Sequence, residues 1–301
     1  MADPKSLKIT MGPVPFLWDG EKWRDFYYRI AESGHVDAVT LGEVVCSKRD
    51  HFTRPFLDAV VQRLTDAGKS VAVASLALVT QEREAKATRQ LAASEALVEA
   101  NDLSALRLLS GRAHLVGPFV NVYNGATARL LAKRGATRIC LGPELPAASI
   151  AAIIAGAPEI EYEIFAFGRL PLAISARCAH ARAKGHSKDN CQFVCGEEPD
   201  GLDVDTLDGQ PFLTVNGVQT MSRHCQVLLA DLPDLAGMGV THLRLSPQVC
   251  DMVAVAQIYA ETRDGLLEPG EAVERLQGVY AGAPYANGFL HGRAGMEWIA
   301  A

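Results

Sequence analysis

Eight short apolar or β-branched runs alternate with amphipathic stretches over about 250 residues, and this rhythm predicts an α/β fold, a TIM-type (β/α)8 barrel, complete or distorted. Glycines close several of the amphipathic stretches, at Gly34, Gly68 and Gly135, where a left-handed helix C-cap costs little only for glycine. One long irregular interruption, residues 168–221, separates the seventh run from the eighth and far exceeds an ordinary βα loop. The chain is therefore expected to be a single barrel-like domain over 1–301, with an insertion at 168–221 between the seventh and eighth strands.

Taken in order, KITM at 8–11 opens the series, followed by VDAVTL at 36–41 and SVAVASL at 70–76, each rich in β-branched residues. EALVE at 95–99 is the weakest, with two glutamates in five positions, and on its account an open doubly wound sheet is the competing reading. HLVGPFV at 114–120, RICL at 138–141, EYEIFAF at 161–167 and THLRL at 241–245 complete the set. Helical spacing marks 21–32, 56–67, 81–92, 126–134 and 147–155 between them. Inside the insertion, 213–215 followed by Asn216-Gly217 reads as a hairpin with a type I′ turn.

A hydrophobic content of 49% over 301 residues supports a large core, and a formal charge of −6 argues against a nucleic-acid-binding surface. Lys and Arg occur in ones and twos, as in Lys48-Arg49 and Lys133-Arg134, which suits solvated helix faces. The start, MADPKSLKITMGP, has no basic stretch leading into an apolar one, so a cytoplasmic location is expected. Apolar runs at 71–79 and 147–157 fall short of the ~20 residues of a membrane span. HExxH, G-x-S-x-G, G-x-G-x-x-G and Walker patterns are absent, which removes the usual signals for a protease, a nicotinamide or flavin enzyme, and an ATPase.

Seven cysteines remain to be explained. Cys178, Cys191 and Cys195 lie in the insertion as C-x12-C-x3-C, in a stretch with too little apolar periodicity to build its own core. Cys46, in LGEVVCSKRD, follows the second strand and so belongs at the same end of a barrel as a loop leaving the seventh. Cys140 in RICLG, Cys225 in an expected helix and Cys250 at the start of another read as buried structural thiols. Spacing leaves three readings open for the other four: an iron-sulfur cluster, zinc with help from His180 or His186, or uncoordinated thiols.

At LGEVVCSKRDHF, VGPFVNVYN, FGRLPLAISARCAHAR, CQFVC and NGFLHGRAGM, the chain resembles the collagenase-like peptidase family, U32, from about residue 7 onward. The resemblance implies a barrel holding a 4Fe-4S cluster as cofactor and metal site on Cys46, Cys178, Cys191 and Cys195. It further implies one subunit of a heterodimer, with a UbiU-type homologous subunit and a UbiT-type lipid-binding protein as partners, in oxygen-independent hydroxylation of a ubiquinone precursor. Prephenate, associated with RNA-hydroxylating relatives, is the candidate oxygen donor. RNA hydroxylation and a zinc-stabilised scaffold are the alternatives. No catalytic residue is identified, although Glu43, Asn121, Tyr123 and Arg177 occupy strand-end or insertion positions that could face a common cavity.

Overall fold

In the computed structural model, which describes residues 3–300, alternate residues of each barrel strand face opposite ways, as the two-residue period of extended chain requires. The strands are β1 (Lys8–Met11), β2 (Ala38–Leu41), β3 (Ser70–Ala74), β4 (Val98–Ala100), β5 (His114–Val116), β6 (Ala136–Cys140) and β7 (Glu161–Ile174). Three strands outside the barrel follow, β8 (Leu202–Asp205), β9 (Pro211–Asn216) and β10 (Gln219–Val227), then β11 (His242–Leu245) and the short β12 (Tyr285–Ala286). Strands β1 to β7 pair in parallel in sequence order, and β11 closes the ring by pairing in parallel with both β7 and β1. The barrel is closed, so the open doubly wound sheet is excluded. Residues 1, 2 and 301 of the expected domain lie outside the described residues.

Helices α1 (Gly20–Glu32), α2 (Asp50–Asp66), α3 (Glu82–Ala93), α4 (Leu103–Leu108), α5 (Gly125–Lys133) and α6 (Ala147–Gly156) link the first seven strands. The one-turn α7 (Ala179–Ala183) follows β7, α8 (Leu232–Met238) precedes β11, and α9 (Met252–Arg263) and α10 (Pro269–Val279) follow it. Outward-facing Ile9, Met11, Val39, Leu41, Leu243 and Leu245 pack with Tyr27, Ile30, Val60, Leu64 and Tyr259 of the helices, forming the main apolar core. Gly135 takes φ +103° after α5, where a β-carbon would collide with the Arg112 carbonyl oxygen.

Several expectations need correction. Strand β7 runs to Ile174, and its second half pairs antiparallel with β10, which carries β9 and β8 in turn. Cys225 lies in β10, not in a helix. The β9–β10 turn is Gly217-Val218, since Asn216 already pairs with Gln219. Helix α1 ends on an extended Ser33, and Gly34 has no positive φ.

The inward residues are unlike those of a barrel filled with branched aliphatic side chains. Thr10 and Thr40 face in from β1 and β2, while Glu99, Arg138, Glu163 and Arg244 come from β4, β6, β7 and β11; all six are buried. Arg244 donates from Nε and Nη2 to Glu163 at 3.1 Å each, and from Nη1 to Glu99 at 3.3 Å, with Nη2 also on Glu99. Arg138 adds a contact to Glu163 at 3.5 Å. Burial alone would raise the Glu163 carboxyl, but Arg244 and Arg138 overcome that and hold it at about 2.

Replacing Arg244 with Met leaves Glu99 and Glu163 buried without their shared cation and is expected to cost about 3–5 kcal/mol in urea unfolding. Glu163 holds its proton less readily in the folded chain than in the unfolded one. Its contribution is therefore complete above about pH 4.3, the unfolded glutamate value, and is lost as pH falls toward about 2. An R244M chain as stable as the wild type would show that the ion network is not needed.

Candidate metal centre

The segment after β2 buries Val44 and Val45, the latter packed with Cys178 and Val218, and polar bonds set the turn around them. Glu43 Oε1 accepts from the backbone N–H of Val45 at 2.7 Å and of Cys46 at 2.8 Å, and Arg49 N–H returns to the Cys46 carbonyl at 2.9 Å. Cys46 is thereby held in a tight turn ahead of α2. Burial raises the Glu43 carboxyl, and the Arg49 charge works against that rise.

On the other side, β7 delivers the chain to Cys178, whose Sγ accepts from Ala181 N–H at 3.4 Å at the start of α7. His180 is fully buried beneath it, with Nε2 2.9 Å from Glu198 Oε2 and Gly217 N–H 3.5 Å from Nδ1. That pattern puts the ring proton on Nε2 and ties the cysteine segment to the β9–β10 turn. Between Cys191 and Cys195, Gln192 and Phe193 both adopt left-handed backbone, φ 48° and 55°, a conformation costly for residues with a side chain. The Phe193 ring sits edge-on to Phe52 of α2, with centroids 5.0 Å apart, and so anchors this turn to the barrel.

Arg49 joins the two halves. Its guanidinium is 1% exposed and donates to Pro15 O at 2.9 Å and to Asn216 Oδ1 at 2.8 Å, leaving Nε without a partner. Asn216 Nδ2 in turn donates to Pro15 O at 2.6 Å. Gly217 must be glycine here: φ is +64°, and a β-carbon would lie 2.5 Å from the Arg49 guanidinium. Lys48 Nζ adds a bond to the Lys188 carbonyl at 2.6 Å.

The result is a solvent-open cavity of about 350 Å³ lined by Cys46, Cys178, Cys191 and Cys195 together with Arg49, Lys48, Lys188 and Phe193. Burial raises the Cys195 thiol, with the Arg49 charge pulling the other way; burial and then Glu43 raise Cys46, opposed by Arg49 and Lys188. Among the described residues, no three His, Cys, Asp or Glu side chains are gathered closely enough to hold a single metal ion. Tetrahedral zinc at ~2.3 Å from each sulfur requires thiolates about 3.8 Å apart. A polynuclear cluster instead places its own metal and sulfide atoms between the ligands.

Other expected sites fall elsewhere. Cys140, Cys225 and Cys250 lie outside this cavity, and burial raises all three thiols, Cys250 to about 12. Glu43 shapes the Cys46 turn, Tyr123 bonds Glu144, and Asn121 and Arg177 are exposed, so these four do not meet at one site. His180 and His186 are absent from the cavity wall. Sequence reading overlooked Arg49, seen only as half of a dibasic pair, and the Gln192-Phe193 turn; neither carries a local signal beyond nearness to a cysteine.

The family model described as Peptidase family U32 matches residues 24–300. Among solved structures, dihydropteroate synthase from Thermus thermophilus in complex with 6HMPPP is similar at 13% identity and a TM-score of 0.43, covering 87% of this chain and 93% of that one. An uncharacterized protein from Clostridium thermocellum that binds two copies of 5-methyl-5,6,7,8-tetrahydrofolic acid is similar at 9% identity and a TM-score of 0.45, with coverages of 86% and 95%. Neither likeness bears on the chemistry.

Removing the Glu43 carboxylate deletes two charge-assisted hydrogen bonds, so Glu43→Ala is expected to speed iodoacetamide labelling of Cys46 in metal-free protein about ten-fold, with Cys178 unchanged. An unchanged Cys46 rate would mean that other contacts hold the turn.

Proposed function

The chain belongs to peptidase family U32, and from that premise we propose that it is a UbiV-type subunit holding a 4Fe-4S cluster on Cys46, Cys178, Cys191 and Cys195. The observation that carries this reading is the convergence of those four thiols, from a barrel loop and from a distant segment, on one cavity with buried and basic side chains in its wall. An all-sulfur donor set fits such a cluster, and the positive side chains suit its negative charge. When bound, the cluster would supply one-electron transfer, in keeping with a hydroxylation that draws its oxygen from a donor other than O2.

The chain's own residues have separable tasks in this reading. Glu43 and the Gln192-Phe193 turn orient thiols, Phe193 screens one wall from water, and Arg49 keeps a permanent cation beside Cys195. The proposed setting is a heterodimer with a UbiU-type subunit, served by a UbiT-type lipid-binding protein, acting on the ring of a ubiquinone precursor with prephenate as the candidate oxygen donor. A formal charge of −6 weighs against RNA as the substrate. No helix among the described residues is long and apolar enough to cross a membrane, and a cytoplasmic site of action is part of the proposal. The peptidase name brings no protease motif with it.

Iron, sulfide and zinc are to be measured on anaerobically purified wild type and Cys191→Ala, with visible spectra. About four iron and four sulfide per chain, with broad absorbance near ~400 nm that the substitution removes, is the expected result. Stoichiometric zinc and no colour would replace the redox subunit with a zinc-held scaffold.

A further inference from the structure

Arg49 does more at the cysteine cavity than tie two loops together. Its guanidinium is 1% exposed, and the oxygens that accept from it, Pro15 O and Asn216 Oδ1, are both neutral. Its Nε is unpartnered, and the guanidinium faces the Cys195 sulfur across the cavity wall. Burial works against the charge, and three groups more than restore it: Glu43 first, then Cys195 and Cys46.

Glu43 is the counterweight. It stands three residues before Cys46 as Arg49 stands three residues after, so opposite charges flank one thiol. Its Oε1 accepts from the backbone N–H groups of Val45 at 2.7 Å and Cys46 at 2.8 Å, and so the carboxylate is fixed in place without gripping the guanidinium.

The other charges on this side have partners of their own or stand in water. Lys48 bonds the Lys188 carbonyl and lies 4.0 Å from Asp189, and Asp50 meets Arg54 at 3.3 Å. Lys184 pairs with Glu197 and Glu198, the latter also bonded to His180. Lys188 is half-buried and donates to Ala176 O at 2.9 Å. Water screens such groups, whereas a charge sealed in protein, as in Arg49, acts through a much lower effective dielectric.

We infer that Arg49 and Glu43 set the reduction potential of the centre held by the four cysteines, Arg49 raising it and Glu43 lowering it. One electron entering that centre adds one negative charge. A fixed cation beside it favours the reduced form and a fixed carboxylate disfavours it. Neither residue changes oxidation state, and no bond to either forms or breaks. Both act as positioning residues for charge, and this role rests on the proposed iron-sulfur cluster.

The test is a potentiometric titration followed by electron paramagnetic resonance, with dithionite supplying the electron, on anaerobically purified full-length protein. Wild type, Arg49→Gln, Arg49→Lys and Glu43→Gln are compared at about pH 8, with iron and sulfide assayed on each. Arg49→Gln is expected to shift the reduction equilibrium about ten-fold toward the oxidised form, a potential lower by about 59 mV. Glu43→Gln keeps an acceptor for the Val45 and Cys46 N–H groups while removing the charge, and is expected to shift the equilibrium about ten-fold the other way. Arg49→Lys returns the charge without the fork of donors, so its potential should lie near that of the wild type while its Tm falls.

A purely structural role would move both glutamine variants the same way or leave both unmoved, and would make R49K resemble R49Q; any of these results overturns the inference. Should Arg49→Gln fail to assemble the centre, Glu43→Gln decides alone, and an unchanged or lowered potential counts against it. A wild type without iron would sink the cluster and this role with it, whereas a brown wild type with unshifted variants would sink this role alone.

Discussion

Everything at the cysteine cavity depends on one buried cation. Arg49 comes from the barrel side, immediately before α2, yet its bonds go to Pro15 after β1 and to Asn216 at the tip of β9. The guanidinium's fixed fork of donors lets it hold two partners at set directions, which a lysine could not do. Because Asn216 also bonds Pro15, the loop carrying Cys46 and the turn above Cys178 are locked to a common point. A buried cation in this position has a desolvation cost that the nearby Glu43 carboxyl and the neutral acceptors offset, and an anionic centre among the thiols would add to that compensation.

The second constraint is the barrel's polar interior. Most of the apolar burial lies between strands and helices, while the lumen is filled by small residues and an Arg–Glu network spanning β4, β6, β7 and β11. Such a network is weak evidence for stability but strongly specifies geometry, since removing any one member strands the others. Its upper end, Arg244 with Glu99, reaches a cavity at the barrel mouth that Val45 and Gln219 also line, next to the Cys46 and Gly217 that line the cysteine cavity.

Much of this was legible in the sequence, and the limits are physical. The eight barrel strands overlap the runs that predicted them, the weak EALVE only at Val98 and Glu99: the strand there is Val98–Ala100, in which Val98 and Ala100 face the helices while Glu99 is consumed by Arg244 inside. Strand β7 ran past its expected end because Gly168 and Pro171 read as loop residues; Pro171 is accommodated where the pairing with β10 shifts register. The four cysteines could be grouped from their positions, since loop ends of a barrel meet at one face. The features that orient them, Arg49 on Asn216 and the left-handed Gln192-Phe193 turn, are tertiary and leave no periodic trace.

The central claim is that Cys46, from the barrel, and the three cysteines beyond β7 hold the same group. Iron K-edge X-ray absorption on anaerobic wild type and Cys46→Ser tests it most directly. The account predicts iron–iron scattering with all-sulfur ligation in the wild type, and in the variant either an oxygen ligand on about a quarter of the iron or loss of one iron from the cluster. Identical all-sulfur spectra from the two proteins would contradict it, placing Cys46 outside the ligand set.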